Sequence, residues 1–299
     1  MHRKTFRYWN PQLFNDISWG TENVLPQTLN IAEKLGLNYS LLDTLYDVDR
    51  PEDLRVWYEA SNPRPPSADA ISLSIIIPIL NEADTISETL AAIRPSRRTE
   101  IIVVDGGSRD GSAEIAESLG AKVLRTSPQK GAQMNAGAAK ACGQVLLFLH
   151  ADTRLPENFE ECVLAAAAQD GFCAGAFSLH ITSSKKGLRL IEKVANWRSR
   201  FLQMPYGDQA LFVSRDRFQE VGGYPAYPIM EDFVLMRRLK NIGKVSILPQ
   251  SVHTSPRRWL NLGIFKTWLL NQLIIVAFYL GISPKRLAQW YRRDKDQSS

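Results

Sequence analysis

Leu73-Ser-Ile-Ile-Ile-Pro-Ile79 carries apolar residues on both sides of the two-residue strand period, so it reads as a β-strand covered on both faces. Similar segments return as Glu100-Ile-Ile-Val-Val104, Lys122-Val-Leu124 and Val145-Leu-Leu-Phe-Leu149. Helical patterns lie between them: Ala83 to Ile93, Ser112 to Leu119 closed by Gly120, and a small-residue helix from Gly131 to Ala141 closed by Gly143. Buried strands divided by helices predict an α/β fold with a mainly parallel sheet and helices on both faces. Ligands of such sheets collect beyond the carboxyl ends of the strands. Those ends carry Asn81-Glu82, Asp105 and His150-Ala-Asp152.

Outward from this core the chain changes character. Asn62-Pro-Arg-Pro-Pro-Ser-Ala-Asp69 holds three prolines in eight residues and reads as an exposed linker over residues 62–70. It sets apart an N-terminal segment, residues 1–61, where Glu22 to Leu35 has helical apolar spacing and Gly36 is its stop. Tyr39-Ser-Leu-Leu42 suggests a short strand, and Pro51 in Asp47-Val-Asp-Arg-Pro-Glu-Asp-Leu54 the opening of another helix. So few apolar groups make a marginal independent domain.

The 299 residues are 44% hydrophobic and 22% charged, the balance of a globular protein with a sizeable core. A net charge of +5, without an RNA-binding aromatic signature or zinc-finger spacing, argues against nucleic acid as a partner. Cys142, Cys162 and Cys173 are odd in number and never form a Cys-x-x-Cys pair, which suits a reducing cytoplasm. The stretch from His2 to Asn15 lacks the apolar core of a signal peptide. Ile264 to Ile282 is broken by Lys266, Asn271 and Gln272, so no spanning helix is expected.

Asp105 is followed by Gly-Gly-Ser-Arg-Asp-Gly111, whose glycines permit a tight turn and close approach of a ligand. Its carboxylate suits a base or ribose contact, and equally a simple cap of the strand-to-helix turn. Asp152 follows a run of buried residues, well placed to hold a divalent cation against phosphates. A capped turn entering Pro156 is the plainer reading.

Taken in order, the blocks say more. They are Ser74-Ile-Ile-Ile-Pro-Ile-Leu-Asn-Glu82, Val103-Val-Asp-Gly-Gly-Ser-Arg-Asp-Gly-Ser112 and Lys130-Gly-Ala-Gln-Met-Asn-Ala-Gly137, then His150-Ala-Asp152, Gly207-Asp-Gln209 and Met230-Glu-Asp232. This succession closely resembles glycosyltransferase family 2 over about two thirds of the chain. The resemblance implies a glycosyltransferase A fold with a Rossmann-like nucleotide-binding half and a catalytic domain over residues 71–256. It implies transfer from a nucleotide-sugar donor to a hydroxyl acceptor, inverting and metal-assisted. Pro78, Asn81, Glu82 and Asp105 would bind the nucleotide, with Lys130 and Asn135 in the same cleft. The family's Asp-x-Asp metal motif stands here as His150-Ala-Asp152, so Asp152 would hold Mn²⁺ or Mg²⁺, with His253 as a further ligand. Glu231-Asp232 matches the catalytic pair, Asp232 being the base. Asp208 and Gln209 would face the acceptor, and Arg257, Arg258 and Trp259 the diphosphate or a sugar ring.

More narrowly, His150-Ala-Asp152 together with His253-Thr-Ser-Pro-Arg-Arg-Trp259 is similar to a bacterial subfamily labelled for arsenosugar biosynthesis. Ser18 to Leu29 and Asp47 to Leu54 resemble the tail of a nucleotidyltransferase-like family lacking its nucleotide-binding half, so no catalysis is expected of residues 1–61.

Residues 257–299 form a basic tail. From Arg257 to Arg293 it has seven basic residues and no acidic one, with Trp259, Trp268, Tyr279, Trp290 and Tyr291 among leucines and isoleucines. That composition predicts a helix pair on a membrane surface and a peripheral enzyme with a lipid-like acceptor, or else a packing element. Two other functions compete. A nucleotidyltransferase would carry a basic Gly-rich loop after the first strand, where this chain has Pro78-Ile-Leu-Asn-Glu-Ala-Asp84. A non-catalytic sugar-nucleotide-binding module would not need Asp105, Asp152 and Asp232 together.

Overall fold

The structure, a computed structural model, describes residues 17–19, 23–37 and 72–296. It divides into two compact units, Met1–Arg64 and Pro65–Ser299. The expected strand at 39–42, the helix opening at Pro51 and the linker 62–70 lie outside the described residues.

In the first unit, α1 (Val24–Lys34) fulfils the expected helix and ends at Leu35-Gly36, with Gly36 at φ +64°. Ala32 is its buried residue.

The second unit is built on an eight-stranded sheet. Its elements in chain order are β1 (Leu73–Ile79), α2 (Ala83–Ala92), β2 (Thr99–Asp105), α3 (Ser112–Ser118), β3 (Lys122–Arg125), α4 (Lys130–Lys140), β4 (Val145–Phe148), β5 (Thr153–Arg154) and α5 (Phe159–Ala167). There follow β6 (Phe172–Ile181), α6 (Lys186–Leu202), β7 (Leu211–Ser214), α7 (Arg215–Glu220), α8 (Glu231–Lys240) and β8 (Lys244–Thr254). The chain closes on α9 (Arg257–Leu262), α10 (Ile264–Tyr279) and α11 (Pro284–Asp296). The tail is thus three helices rather than a pair, because Gly263 at φ +85° breaks the run.

The strand order is β3-β2-β1-β4-β7-β6-β8-β5. β1, β2, β3 and β4 pair in parallel, as do β6 and β8, while β7 and β5 run antiparallel to their neighbours. The parallel half follows from the apolar runs. Leu73, Ile75 and Ile77 enter one hydrophobic layer with Ile86 and Leu90 of α2 and Val163 of α5. Ile76 enters the other with Met134 of α4 and Leu235 and Leu239 of α8. Phe148 closes that second layer on Tyr224, edge to face at 5.0 Å.

The two halves meet where β4, β7 and β6 lie side by side. Gly175 on β6 lets the Phe212 ring lie directly on its backbone, where a β-carbon would overlap the ring and stand 2.7 Å from the Ser246 carbonyl oxygen. Gly175→Ala should therefore destabilise the fold by at least the ~1–3 kcal/mol of an overpacked core. Urea unfolding measures it; a midpoint equal to wild type would show that the sheet relaxes around the added methyl.

Candidate active site

The strand ends deliver the expected side chains to one edge of the sheet, but several do different work there. At β1 and β2 the loops are tied to each other. Asn81, at φ +55°, donates its N–H to Ser108 Oγ at 2.9 Å, and its side-chain oxygen accepts the Arg109 N–H at 2.9 Å. Asp105 is buried and accepts the Ser108 N–H at 2.9 Å, the capping role open to it from sequence. Glu82 accepts the Thr85 hydroxyl at 2.8 Å and pairs with Arg257 Nη2 at 3.0 Å. The residues read for nucleotide and for diphosphate therefore meet at Glu82 and Arg257. Pro78 lies one residue before the end of β1, partly exposed.

Gln133, on α4, escaped the sequence reading. Its buried amide donates to the carbonyls of Ile79 and Val104, both at 2.8 Å, and so bridges the ends of β1 and β2. Only its place one turn after Lys130 on a helix pointing at those ends could have signalled it. Asn135 takes a different place from the one expected. Its amide nitrogen donates to Tyr224 O at 2.9 Å and its oxygen accepts the Tyr224 N–H at 3.0 Å, so both ends clamp that turn.

The chemistry concentrates farther along the edge. Lys130, at the start of α4, reaches Asp232 Oδ2 at 3.1 Å and Glu231 Oε1 at 3.6 Å. Burial works against its charge, but Asp232, Glu231 and Asp208 outweigh that and hold its ammonium above the ordinary lysine value. Glu231 is pushed up by burial and by Asp232, with Lys130 pulling the other way. Burial, then Asp232 and Glu231, raise the Tyr224 hydroxyl. Gly207 is required here: a β-carbon on it would overlap Asp232 Oδ2 and lie 2.9 Å from His150 Nε2. Met230, immediately before the acidic pair, has φ +70°, a left-handed conformation costly for methionine.

These groups line a cavity of about 270 Å³ that includes Lys130, His150, Asp152, Asp208, Glu231 and Asp232. The C-terminal helices supply another part of the lining: Trp259, Asn271, Ile274, Ile275 and Tyr291. A larger cavity, about 980 Å³, shares Asp152, Thr254 and Ser255 with it and takes in Glu88, Arg154 and His253. It lacks the lysine and the acidic pair, so the smaller cavity is the chemical one. Gln209 does not face either. It is wholly buried, its amide donating to Phe177 O at 2.9 Å and its oxygen accepting the Ser199 hydroxyl at 2.6 Å, so it braces the turn that presents Asp208. The side chain of Arg258 lies outside the described residues.

Asp152 stands between the two cavities. Burial and the Glu82 charge raise its carboxyl above the ordinary value, and Arg257 opposes them. A half-buried carboxylate has the hard oxygen chemistry of a Mg²⁺ or Mn²⁺ ligand, with phosphates able to supply further ones. The histidines do not complete it. The His253 ring lies 4.7 Å from that of His180, its own proton affinity lowered by burial and by His180. His150 is turned toward Gly207 and Asp232. Among the described residues no three His, Cys, Asp or Glu side chains gather around one point.

The fold is a glycosyltransferase A fold. S. aureus TarS 1-349 in complex with UDP-GlcNAc matches it with a TM-score of 0.52 at 17% identity, over 62% of this chain and 58% of that one. Residues 74–221 match the model of Glycosyl transferase family 2, and the chain therefore carries a domain of that family. The match ends before Glu231-Asp232. Glycosyltransferase AglE of Haloferax volcanii is 36% identical over 174 residues, 52% of this chain and 57% of that protein. An undecaprenyl-phosphate 4-deoxy-4-formamido-L-arabinose transferase of Pseudomonas fluorescens is 35% identical over 113 residues, 33% of each chain. The chain thus spans about half the length of the first of these relatives and a third of the second.

The electrostatics of Asp152 give a test that needs no ligand. A carboxyl whose folded value lies above its unfolded one binds more protons folded than unfolded across that interval, so stability falls as pH rises through it. Asp152→Asn removes that loss. The ligand-free variant should melt above wild type at pH 8, and the gain should shrink as pH falls toward the unfolded value of 3.8. Thermal melts across that range check it, and a variant that melts lower at pH 8 contradicts the strain.

Proposed function

We propose that the protein is a nucleotide-sugar-dependent glycosyltransferase that moves a sugar onto a hydroxyl acceptor by a single inverting displacement. One observation carries this: in a chain with a family 2 domain, Lys130, Asp232 and Glu231 share one cavity with Asp152. In this reading residues 71–256 are the catalytic domain, residues 257–299 its basic tail, and residues 1–61 a remnant without catalysis. The likeness of His150-Ala-Asp152 and His253 to Trp259 to the arsenosugar-labelled subfamily is the narrower assignment.

The donor nucleotide lies over the ends of β1 and β2, where Asn81, Glu82 and the Asp105 turn form one hydrogen-bonded edge. Its diphosphate points toward Asp152 and Arg257. The acceptor enters the cavity lined by Asp208 and the C-terminal helices. Its hydroxyl oxygen bonds to the anomeric carbon as the carbon–oxygen bond to the diphosphate breaks, and Asp232 takes the hydroxyl proton. Lys130, bonded to Asp232, fixes that carboxylate in the cavity. Asp152 would hold a divalent cation, which supplies charge against the leaving diphosphate when bound. The relative named as an undecaprenyl-phosphate transferase supports a lipid-like acceptor.

Two outcomes test this. Asp232→Asn should keep donor binding and lose transfer by about two to four powers of ten, the scale of general-base catalysis; near-full turnover would remove Asp232 from the role. UDP should bind more tightly with Mn²⁺ present, and Asp152→Asn should abolish the difference. Calorimetric titration with and without the metal decides, and equal affinities would overturn the cation's place at Asp152. Donor hydrolysis or transfer by the purified protein also separates an enzyme from a sugar-nucleotide-binding module.

A further inference from the structure

Helix α6 is held to the sheet by one face and leaves a patterned outer one. Its inner residues Leu188, Ile191 and Ala195 pack with Leu179 and Ile181 of β6. The outer face carries Leu190, Val194, Trp197 and Phe201 at helical spacing, exposed by 64%, 44%, 56% and 70%. Along the edge of this stripe run Lys186, Lys193 and Arg200, seven residues apart and exposed; Arg200 also donates to Ser178 Oγ at 3.2 Å. The helix's one acidic residue, Glu192, is buried and paired with Arg189 at 2.9 Å. The outward face of α6 therefore offers cations and large apolar groups and no anion. A surface helix of an ordinary globular protein turns polar residues outward instead.

Helix α10 adjoins it: Ile264 lies over Gly187, where a β-carbon would touch it at 3.5 Å. Its outer face repeats the pattern with Phe265, Leu269, Leu273 and Val276, all exposed, and Lys266 beside Phe265. Its other side carries Asn271, Ile274 and Ile275 into the catalytic cavity. The same helix is thus wall to the site and part of the apolar surface. No helix among the described residues is long and apolar enough to cross a membrane.

We propose that the outer faces of α6 and α10 together dock on an anionic lipid bilayer, with the α6 aromatics in the headgroup layer and Lys186, Lys193 and Arg200 on the lipid phosphates. Large apolar side chains beside a basic edge, on a helix too polar to span, are the arrangement of an interfacial helix. The charge decides the occupant, since an anionic surface neutralises these cations whereas a second copy of this chain would present the same cations again. This inference assigns the lipid contact to an internal helix of the catalytic unit as well as to the basic tail. It rests on the transferase reading only for what the cavity behind α10 does there.

Sedimentation of the full chain with vesicles tests it, using phosphatidylcholine alone and an equal mixture with phosphatidylglycerol. The protein should pellet with the mixed vesicles at low salt and far less with phosphatidylcholine alone. Lys186→Gln/Lys193→Gln should bind about thirtyfold more weakly, the effect of two surface cations contributing about 1 kcal/mol each. Trp197→Ser/Phe201→Ser should lose binding that salt does not remove, and both variants should keep UDP affinity, which reports on the fold. Should they fail to fold, a polarity-sensitive dye on Val194→Cys in a Cys142→Ser background replaces them, and its emission should shift to the blue on mixed vesicles. Full-length protein that stays in the supernatant, or a dimer that Trp197→Ser/Phe201→Ser disperses, overturns the proposal. Transfer to a soluble acceptor is measured separately, so the docking face and the catalytic reading fail independently.

Discussion

Lys130 is the point on which the site depends, because it ties together the charged groups of two parts of the chain that otherwise meet through apolar packing and the Asn135 clamp. It opens α4, behind the β1–β2 edge, and its ammonium lies between Glu231 and Asp232 at the start of α8. Two adjacent carboxylates in a mostly buried setting repel one another and lose hydration, which the raised Glu231 carboxyl registers. A fixed cation between them makes the arrangement stable enough to hold. Gly207 then brings its backbone against Asp232 without a side chain to push it away. Asn135, on the same helix as Lys130, clamps Tyr224 and so anchors the turn that leads into Met230.

How much of this was legible follows from which physical signals are local. The parallel half was legible because Leu73–Ile79 and Val145–Phe148 are buried on both faces, and a strand with two dry faces is apolar at nearly every position, the buried Ser74 being bonded to Glu100. The antiparallel half was not, since β7 is only Leu211–Ser214 and its burial comes from distant partners. The acidic pair and Asp152 could be singled out as residues, and the cavity does contain them. Gln209 and Asn135 could not be sorted from sequence. An amide reads as a sugar contact or as a backbone clamp by the same letter, and only the Phe177, Ser199 and Tyr224 partners distinguish the two. Lys130 moved for the same reason: its partners lie about a hundred residues away in the chain.

The basic tail shows that two readings of one segment need not exclude each other. Its aromatic and apolar residues pointed either to a membrane surface or to packing against the catalytic unit. In the structure Ile274 and Ala277 are buried while Leu273 and Val276 on the same helix are exposed. Its apolar residues thus divide between a face packed on protein and a face left exposed. Of the polar residues on this helix, Lys266, Thr267, Asn271 and Gln272, Asn271 is the one that lines the cavity.

Arg257 links these parts to the nucleotide edge, and the energetics of its pairing say how it could serve a diphosphate. Its partner Glu82 is itself part of the edge read for the donor, and both lie within electrostatic reach of Asp152. The pair is half exposed on the arginine side, so it contributes little stability, about 0.2–1 kcal/mol for pairs of this kind. A doubly charged diphosphate offers the guanidinium a stronger, forked acceptor than one exposed carboxylate does. In the proposed reaction, Arg257 would exchange Glu82 for phosphate oxygens once a donor is present. That exchange would leave the charges of Glu82 and Asp152 less opposed by Arg257, a condition that would favour a divalent cation beside the phosphates. In the proposed reaction, donor and metal would then reinforce each other's binding, with Arg257 as the group that changes partners.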